Sequence, residues 1–240
     1  CLTLSFPLWS SCELAAGEVP VPDDALPRSL SQNPQISAWL QVLDDGRIRV
    51  YTGKIELGQG IRTAIGQVAA EELFTHPEKI EVHIVETGIT PDEGYTAGSG
   101  SIINSAMSVR YAAAAARAKL LEIAAEKLDT KVEMLALEDG TILQDGKKVM
   151  NFAELLEGKQ LEGKVDAPPE LKPKSDYQWV GKAFPRQGIS RMVRGEEVYV
   201  QDLRFPGMVH ARVLRPPAYG AKLEHYDAEA LAAQIHGLLK

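Results

Sequence analysis

Two short segments carry residue types and spacings that could hold an anionic or strongly polar ligand. The first is Glu56-Leu57-Gly58-Gln59-Gly60, which runs directly into the apolar spacing of Ile61, Ile65, Val68, Ala69 and Leu73. A strand that turns through glycines into a helix presents unpaired amides and the positive end of the helix dipole, the setting in which anions bind. Gly58 and Gly60 also let a ligand approach the main chain. The second segment is Thr96-Ala97-Gly98-Ser99-Gly100-Ser101, again at the start of a helical pattern, where hydroxyls and amides could line another such concavity. Taken singly, each segment also fits a plainer role, since glycines tighten strand-to-helix turns and Ser101 can serve as a helix cap; the repetition of the pattern is what favours a ligand.

Other chemistries find less support. Gly58-Gln59-Gly60-Ile61-Arg62-Thr63 has Thr where a dinucleotide fingerprint places its third glycine, and Ser99 does not sit in a G-x-S-x-G elbow. His76, His83, His210, His225 and His236 are dispersed, with no metal-binding helical pair. The only cysteines are Cys1 and Cys12, so this chain alone builds no Cys-based zinc or iron–sulfur site. Glu71 and Glu72 are adjacent on a helix and point in different directions, which rules them out as a carboxylate pair on one substrate atom. Asp44, Asp45 and Asp139 read as turn residues, and no general base emerges. With 45% apolar and 25% charged residues over 240 positions, the chain has an ordinary globular balance, neither a disulfide miniprotein nor wholesale disorder. Its 26 Lys and Arg are scattered and outnumbered by 33 Asp and Glu, for a net charge of −7, which argues against nucleic acid as a partner.

The elements that must position the two segments follow from periodicity. Residues 36–42 and 47–52 alternate around Asp44-Asp45-Gly46 and predict a β-hairpin. A helix follows Gly60 and is ended by His76-Pro77, and Ile80, Val82 and Ile84 predict a strand. Beyond the glycine-rich stretch 88–100, a long helix carries the stripe Ile102, Ala106, Val109, Ala113, Ala116, Leu120 and Ile123. That stripe is mostly alanine and predicts close packing, with Arg110, Arg117 and Lys119 off the seam. Two such strand–loop–helix junctions would place two helix amino ends on one sheet edge, an arrangement suited to a polyanionic cofactor. Residues 135–143 with Asp145-Gly146 predict a second hairpin, and Asn151 starts a short helix over 152–156.

Around this body lie less regular stretches. Residues 1–9 are apolar and end in small residues, as at the tail of a secretory signal or in a short strand, and 15–34 reads as an extended arm. Residues 158–176, rich in Lys, Glu and Pro, predict a linker. A second unit starts near Trp179, with strands at 198–200 and 208–214 and a helix at 228–235. Gly237-Leu238-Leu239-Lys240 reads like the run into another strand. The expected division is an arm at 1–35, an α+β unit at 36–160, a linker at 161–178 and a second unit at 179–240.

Glu56-Leu57-Gly58-Gln59-Gly60-Ile61, followed by Thr63, Gln67 and Ala70-Glu71-Glu72-Leu73, then by Thr96 to Ser101, Val109-Arg110 and residues 113–117, resembles the large molybdopterin-binding subunit of the xanthine oxidase family of molybdenum hydroxylases. Val180-Gly181, Pro185-Arg186, Gly195-Glu196, Tyr199-Val200, Asp202, residues 206–213 and Arg215-Pro216-Pro217 resemble that subunit's α/β-hammerhead segment. The order of segments is similar to the isoquinoline 1-oxidoreductase β subunit and related bacterial aldehyde dehydrogenases. The resemblance implies an α+β fold, a cofactor-binding subdomain with a mixed sheet and two helices, followed by part of a hammerhead domain.

It also implies a chemistry: oxidation of an aldehyde or N-heterocycle with oxygen from water. Electrons would leave through an iron–sulfur small subunit carrying 2Fe–2S clusters, with a cytochrome c as a candidate acceptor. The cofactor would be molybdopterin cytosine dinucleotide. By matched position Gln59, between Gly58 and Gly60, would hydrogen-bond the metal-proximal part of the pterin. Gly98 would bring its backbone beside the molybdenum, and Ser99 and Ser101 would contact pterin or phosphate oxygens. Leu57 stands where the family often has Met, a volume-conserving change. The subgroup's twin-arginine export implies a periplasmic location. The family's catalytic glutamate and its Gly-Gly-Phe-Gly loop are expected after Lys240. The chain is therefore expected to be an N-terminal fragment that forms one wall of the site, holds no catalytic residue, and alone neither turns over nor retains cofactor. The alternative is a non-catalytic assembly or cofactor-delivery module with the same fold.

Overall fold

The structure, a computed structural model, describes residues 25–235 and 237, apart from 197 and 214. The apolar run at 1–9, the arm up to residue 24 and the closing residues 238–240 lie outside these. The chain divides into two compact units between Ile189 and Ser190.

The first unit is mixed α and β. It opens with a short helix, α1 (Arg28–Gln32), so the end of the expected arm is helical and buries Leu30. β1 (Leu40–Val42) and β2 (Ile48–Tyr51) form the expected antiparallel hairpin, with Leu40 opposite Val50. The chain then crosses through α2 (Ile61–Glu72) to β3 (Ile80–His83), which pairs with β2 in parallel, Val50 opposite Val82. A parallel neighbour requires such a crossover, because a tight turn only reverses direction. Ile48, Val50, Ile80 and Val82 are buried by the period-two alternation of their strands.

A π-helical turn, Ser101–Ala106, leads into the 21-residue α3 (Met107–Lys127). Ala106, Val109, Ala113, Ala116 and Leu120 are buried as the stripe requires, and Ile123 packs against the same core. Ile102 departs from the expectation and is exposed. The wider π turn sets bonds five residues apart, which shifts the phase of side chains before Ala106 relative to those after it. Tyr111, Ala112 and Ala114 are buried too, so the first half of α3 is enclosed on more than one face.

A second sheet, β4 (Leu135–Glu138), β5 (Thr141–Gln144) and β6 (Lys147–Asn151), is an antiparallel meander, one strand more than the expected hairpin. Asn151 starts α4 (Phe152–Leu156) with a capping box: its side chain accepts from the Glu154 amide at 2.9 Å, and the Glu154 carboxylate accepts from the Asn151 amide at 2.8 Å.

The stretch expected to link two units lies instead on the first. Leu161 and Val165 are buried in its core, and their neighbours bond to the start of the unit, Ile36 N to Gly163 O at 2.9 Å and Val165 N to Pro34 O at 2.8 Å. The second unit holds most of α5 (Ile189–Val193) and α6 (Ala228–Gln234), the latter capped by the Asp227 side chain on the Ala230 amide. No strand forms among its described residues. Val200–Asp202 is a single 3-10 turn, and Val198, Val200, Val209 and Val213 are exposed. Alternating apolar residues become a strand only where a neighbour supplies the ladder, and among the described residues of this unit none does.

Candidate functional site

The first junction leaves β2 through Thr52, Gly53 and Lys54, all buried, and rises into an exposed loop at Leu57, Gly58 and Gln59. Beneath that loop lies Glu56, 7% exposed as a residue. One of its carboxylate oxygens accepts the amides of Gly58 and Gly60, both at 2.9 Å, and the other accepts the amide of Arg62 at 3.2 Å. Arg186 Nη2 completes the set at 3.0 Å. Burial by itself would raise the pKa of Glu56, but the amides of Gly60, Arg62 and Gly58 and the Arg186 charge outweigh it and hold the pKa below its ordinary value. The amino end of α2, expected to offer amides to a ligand, is therefore already satisfied by a carboxylate of the chain itself.

Gly60 sits as the N-cap in a left-handed conformation, φ 82°, which a side chain would strain. Gln59 folds back on its own loop, its Oε1 accepting the Leu57 amide at 2.5 Å and its Nε2 donating to Ile55 O at 2.9 Å.

The second junction leaves β3 and is anchored at its base. The Glu93 carboxylate accepts the Thr52 hydroxyl and the Gly53 amide, both at 2.7 Å, and the Ser105 hydroxyl. Lys54 Nζ, buried, donates to the carbonyls of Glu93 at 2.6 Å and Tyr95 at 2.9 Å, and the Ile55 amide donates to Thr96 Oγ1 at 3.0 Å. Gly53 marks the closest approach of the two loops: a Cβ there would stand 2.2 Å from the carbonyl oxygen of Pro91. The tip is open. Gly98 and Ser99 both have left-handed backbones, φ 61° and 55°, Ser99 is exposed and Ser101 half-buried. No side-chain hydrogen bond caps the helix that starts at Ser101.

The sequence-predicted residues thus fall on two loops, Gly58, Gln59 and Gly60 on one and Gly98, Ser99 and Ser101 on the other. Both loops leave the carboxyl ends of adjacent parallel strands, so they open on one sheet edge, as expected. Lys54, Glu56 and Glu93, which tie the loops into place, were not legible as such. A buried charge in a loop leaves no periodic trace, and only the proximity of Glu56 to two glycines could have suggested its reach. Leu57, Ile89, Tyr95, Ile102 and Ile103 are exposed apolar side chains on these loops and the π turn.

The remaining candidates resolve as structure. Glu71 and Glu72 do diverge. Glu71 pairs with the buried Lys172 ammonium at 2.5 Å and accepts the amides of Gln178, Trp179 and Val180, while Glu72 binds Arg110 and Arg117, both at 2.8 Å. Desolvation works against the ionised Glu71, yet Lys172 and the three amides hold its pKa below the ordinary value. Arg110 and Arg117, expected simply off the seam, thus clamp α3 to α2 and, through Lys172 O and Glu170 O, to the strap of residues 170–187. His76 packs its ring on Trp179 and accepts the Glu78 amide, and His83 meets Glu86 at 2.8 Å. His236 lies outside the described residues. Among the described residues no three His, Cys, Asp or Glu converge as metal ligands.

Fold and site together define a mixed α/β domain with a loop-built edge and no metal-ligand cluster of its own among the described residues. Residues 20–192 match the family described as molybdopterin cofactor-binding domain, and the chain belongs to that family, as a molybdopterin-binding subunit of the xanthine oxidase type. It is similar to a subunit of the nicotinate dehydrogenase of Pseudomonas putida, 40% identical over 83% of this chain and 17% of that one. The beta chain of isoquinoline 1-oxidoreductase of Brevundimonas diminuta is 26% identical over 95% of this chain and 34% of its own. A membrane-bound aldehyde dehydrogenase (pyrroloquinoline-quinone) of Gluconacetobacter polyoxogenes is 28% identical over 91% and 28%, respectively. The chain therefore spans 17 to 34% of the lengths of these relatives.

Proposed function

We propose that this chain forms one wall of the cofactor site of a molybdenum hydroxylase that oxidises an aldehyde or an N-heterocycle. The observation that carries this reading is the pair of loops opening side by side from β2 and β3, one presenting Gln59 and the other Gly98, Ser99 and Ser101. The residues present suit a pterin cofactor. They offer a carboxamide, two hydroxyls and backbone groups, and a Cβ placed on Gly58, Gly60 or Gly98 would meet nothing within 4 Å, so a bulky planar ligand can reach the main chain. The molybdenum would arrive held by the cofactor, which supplies the two-electron redox chemistry when bound.

In this reading Gln59 donates and accepts hydrogen bonds at the metal-proximal part of the pterin, Gly98 lets the backbone approach the metal, and Ser99 and Ser101 bind pterin or phosphate oxygens. The uncapped start of the helix at Ser101 favours a phosphate there, and the cytosine dinucleotide form of the cofactor is assigned on the family resemblance. The names of the relatives, two of nitrogen heteroaromatics and one of an aldehyde, support the substrate class. In this reading the catalytic glutamate comes from the same subunit outside residues 1–240, electrons leave through a 2Fe–2S partner subunit, and a cytochrome c is a candidate acceptor. Residues 179–240 are assigned to an α/β-hammerhead domain and the mature protein to the periplasm, on the family resemblance of 180–217 and the apolar run at 1–9.

The test is Gln59→Ala and, separately, Gly98→Val in the intact protein as isolated from its host. Molybdenum per chain and cytosine nucleotide released by acid are expected to fall severalfold in both, because each change removes or blocks direct ligand contacts. Undiminished molybdenum in both variants would overturn the reading.

A further inference from the structure

Glu56 makes none of the ligand contacts just assigned, yet it is the most heavily bonded side chain of the first junction. We propose that Glu56 is a positioning residue: its carboxylate occupies the amino end of α2 in place of a ligand, freezes the backbone of residues 57–60, and leaves Gln59 as the one part of that loop that moves to meet the cofactor. The inference rests on the role of Gln59 in the proposed function and adds which part of the ligand this loop can take.

Three observations carry it. First, the bonds from Glu56 fall on the amides of Gly58, Gly60 and Arg62, so one buried carboxylate fixes both glycines and the first turn of α2. Both glycines have left-handed backbones, φ 103° and 82°, and without the carboxylate they would be the freest residues of the loop. Second, Gln59 is tied only to its own loop, through Leu57 N and Ile55 O. A side-chain rotation exchanges those two bonds for two to a ligand, while Glu56 keeps the backbone from following. Third, Arg186 on Glu56, with the adjacent Gln187 amide on Thr63 Oγ1 at 2.9 Å, locks the arrangement from the side of the strap.

The electrostatic consequence is a division of labour. A phosphate or other anion at the amino end of α2 would stand against the Glu56 charge, so this loop receives a neutral, hydrogen-bonding portion of the ligand, of the kind a pterin ring edge offers. The anionic portion is left to the second junction.

The experiment is a double-mutant cycle in the intact, cofactor-loaded protein: Gln59→Ala, Glu56→Gln, both together, and Arg186→Gln. The rate at which molybdenum is lost on prolonged gel filtration is measured, with the unfolding midpoint of each variant in parallel. Gln59→Ala and Glu56→Gln should each speed the loss about tenfold, the loss of one or two good hydrogen bonds, and Arg186→Gln about threefold. Because Glu56 acts through Gln59, the double variant should lose metal no faster than Gln59→Ala. Multiplying effects would show that Glu56 only stabilises the fold and would overturn the inference, while leaving the cofactor reading intact. An unchanged rate in Gln59→Ala would overturn both. If Glu56→Gln fails to fold, the same cycle is run with Arg186→Gln. Added formate, which can refill the vacated carboxylate position, should slow metal loss in Glu56→Ala and not in Gln59→Ala, and formate without effect would again count against the inference.

Discussion

The two glycine junctions look alike in sequence and differ in where their acid sits. Glu56 lies four residues before Gly60, close enough for its side chain to curl under the loop and satisfy the first amides of α2. Glu93 lies eight residues before Ser101 and spends its carboxylate on Thr52, Gly53 and Ser105, at the base of the loop and away from the tip. One junction is closed by an internal anion and the other is left open at Gly98 and Ser99, although both run in the same order of strand, glycine loop and helix. A helix amino end in a glycine loop is thus an anion site only when no nearby carboxylate of the chain reaches it.

The closed junction depends on the strap that carries Arg186, and the strap depends on Glu71 and Glu72. The largest expected effect comes from cutting it. Glu72→Ala removes a fully buried carboxylate shared by Arg110, Arg117 and the Lys172 amide, and should cost about 3 kcal/mol in urea unfolding because it leaves two partly buried guanidinium groups and a buried amide without their acceptor. It should also expose residues 170–187 to protease. A cost below about 1 kcal/mol would show that burial of Leu161 and Val165 suffices to hold the strap. Next is Gly53→Ala, which drives a methyl group against the Pro91 carbonyl and forces the two junctions apart, at about 2–3 kcal/mol. Unchanged stability there would mean that the loops are not pressed together at their base.

Smaller still is Glu56→Gln, which keeps the shape and removes the charge, at about 1–2 kcal/mol near neutral pH. The pH dependence has a definite sign. Glu56 and Glu71 are held below their ordinary value of 4.5 in the folded protein, so their contribution is complete above that value and disappears as the pH falls through the lowered folded values. The midpoint of the parent protein should therefore drop on going from about pH 6 to about pH 3, and Glu56→Gln should show a shallower drop. Parallel curves would place the acid sensitivity in carboxylates other than Glu56, with Glu71 and Asp139 among them.

What the sequence made legible was local. The hairpin at 40–51, α2, β3, the buried seam of α3 and the Asn151 cap all arise from residues within a few positions of one another, and all are present. What escaped it was decided at long range. Residues 158–176 read as a linker because their prolines and charges have no period, yet Lys172 within them, and Gln178 and Val180 just beyond, are ordered by Glu71, about a hundred residues earlier. The same distance hid the roles of Arg110 and Arg117. Residues 198–200 and 208–214 failed in the opposite sense, since their alternation is a strand pattern whose partner is absent from the described residues. At the site, glycines and hydroxyls advertised both loops, but which helix end was already filled depended on the reach of one carboxylate.

That last distinction can be engineered. Ser101 begins the helix at the open junction, and Ser101→Asp would install there what Glu56 supplies at the closed one. A carboxylate in the first turn interacts favourably with the helix dipole and its unpaired amides, so the cofactor-free protein should gain about 0.3–1 kcal/mol. The same charge would repel phosphate, so cofactor retention should fall even as thermal stability rises. The two readouts moving in opposite directions would set the open junction apart as a place kept vacant for an anion at some cost in stability. A stability gain with retention unchanged would instead place the anionic part of the ligand elsewhere, and the difference between the two junctions would then be one of helix capping alone.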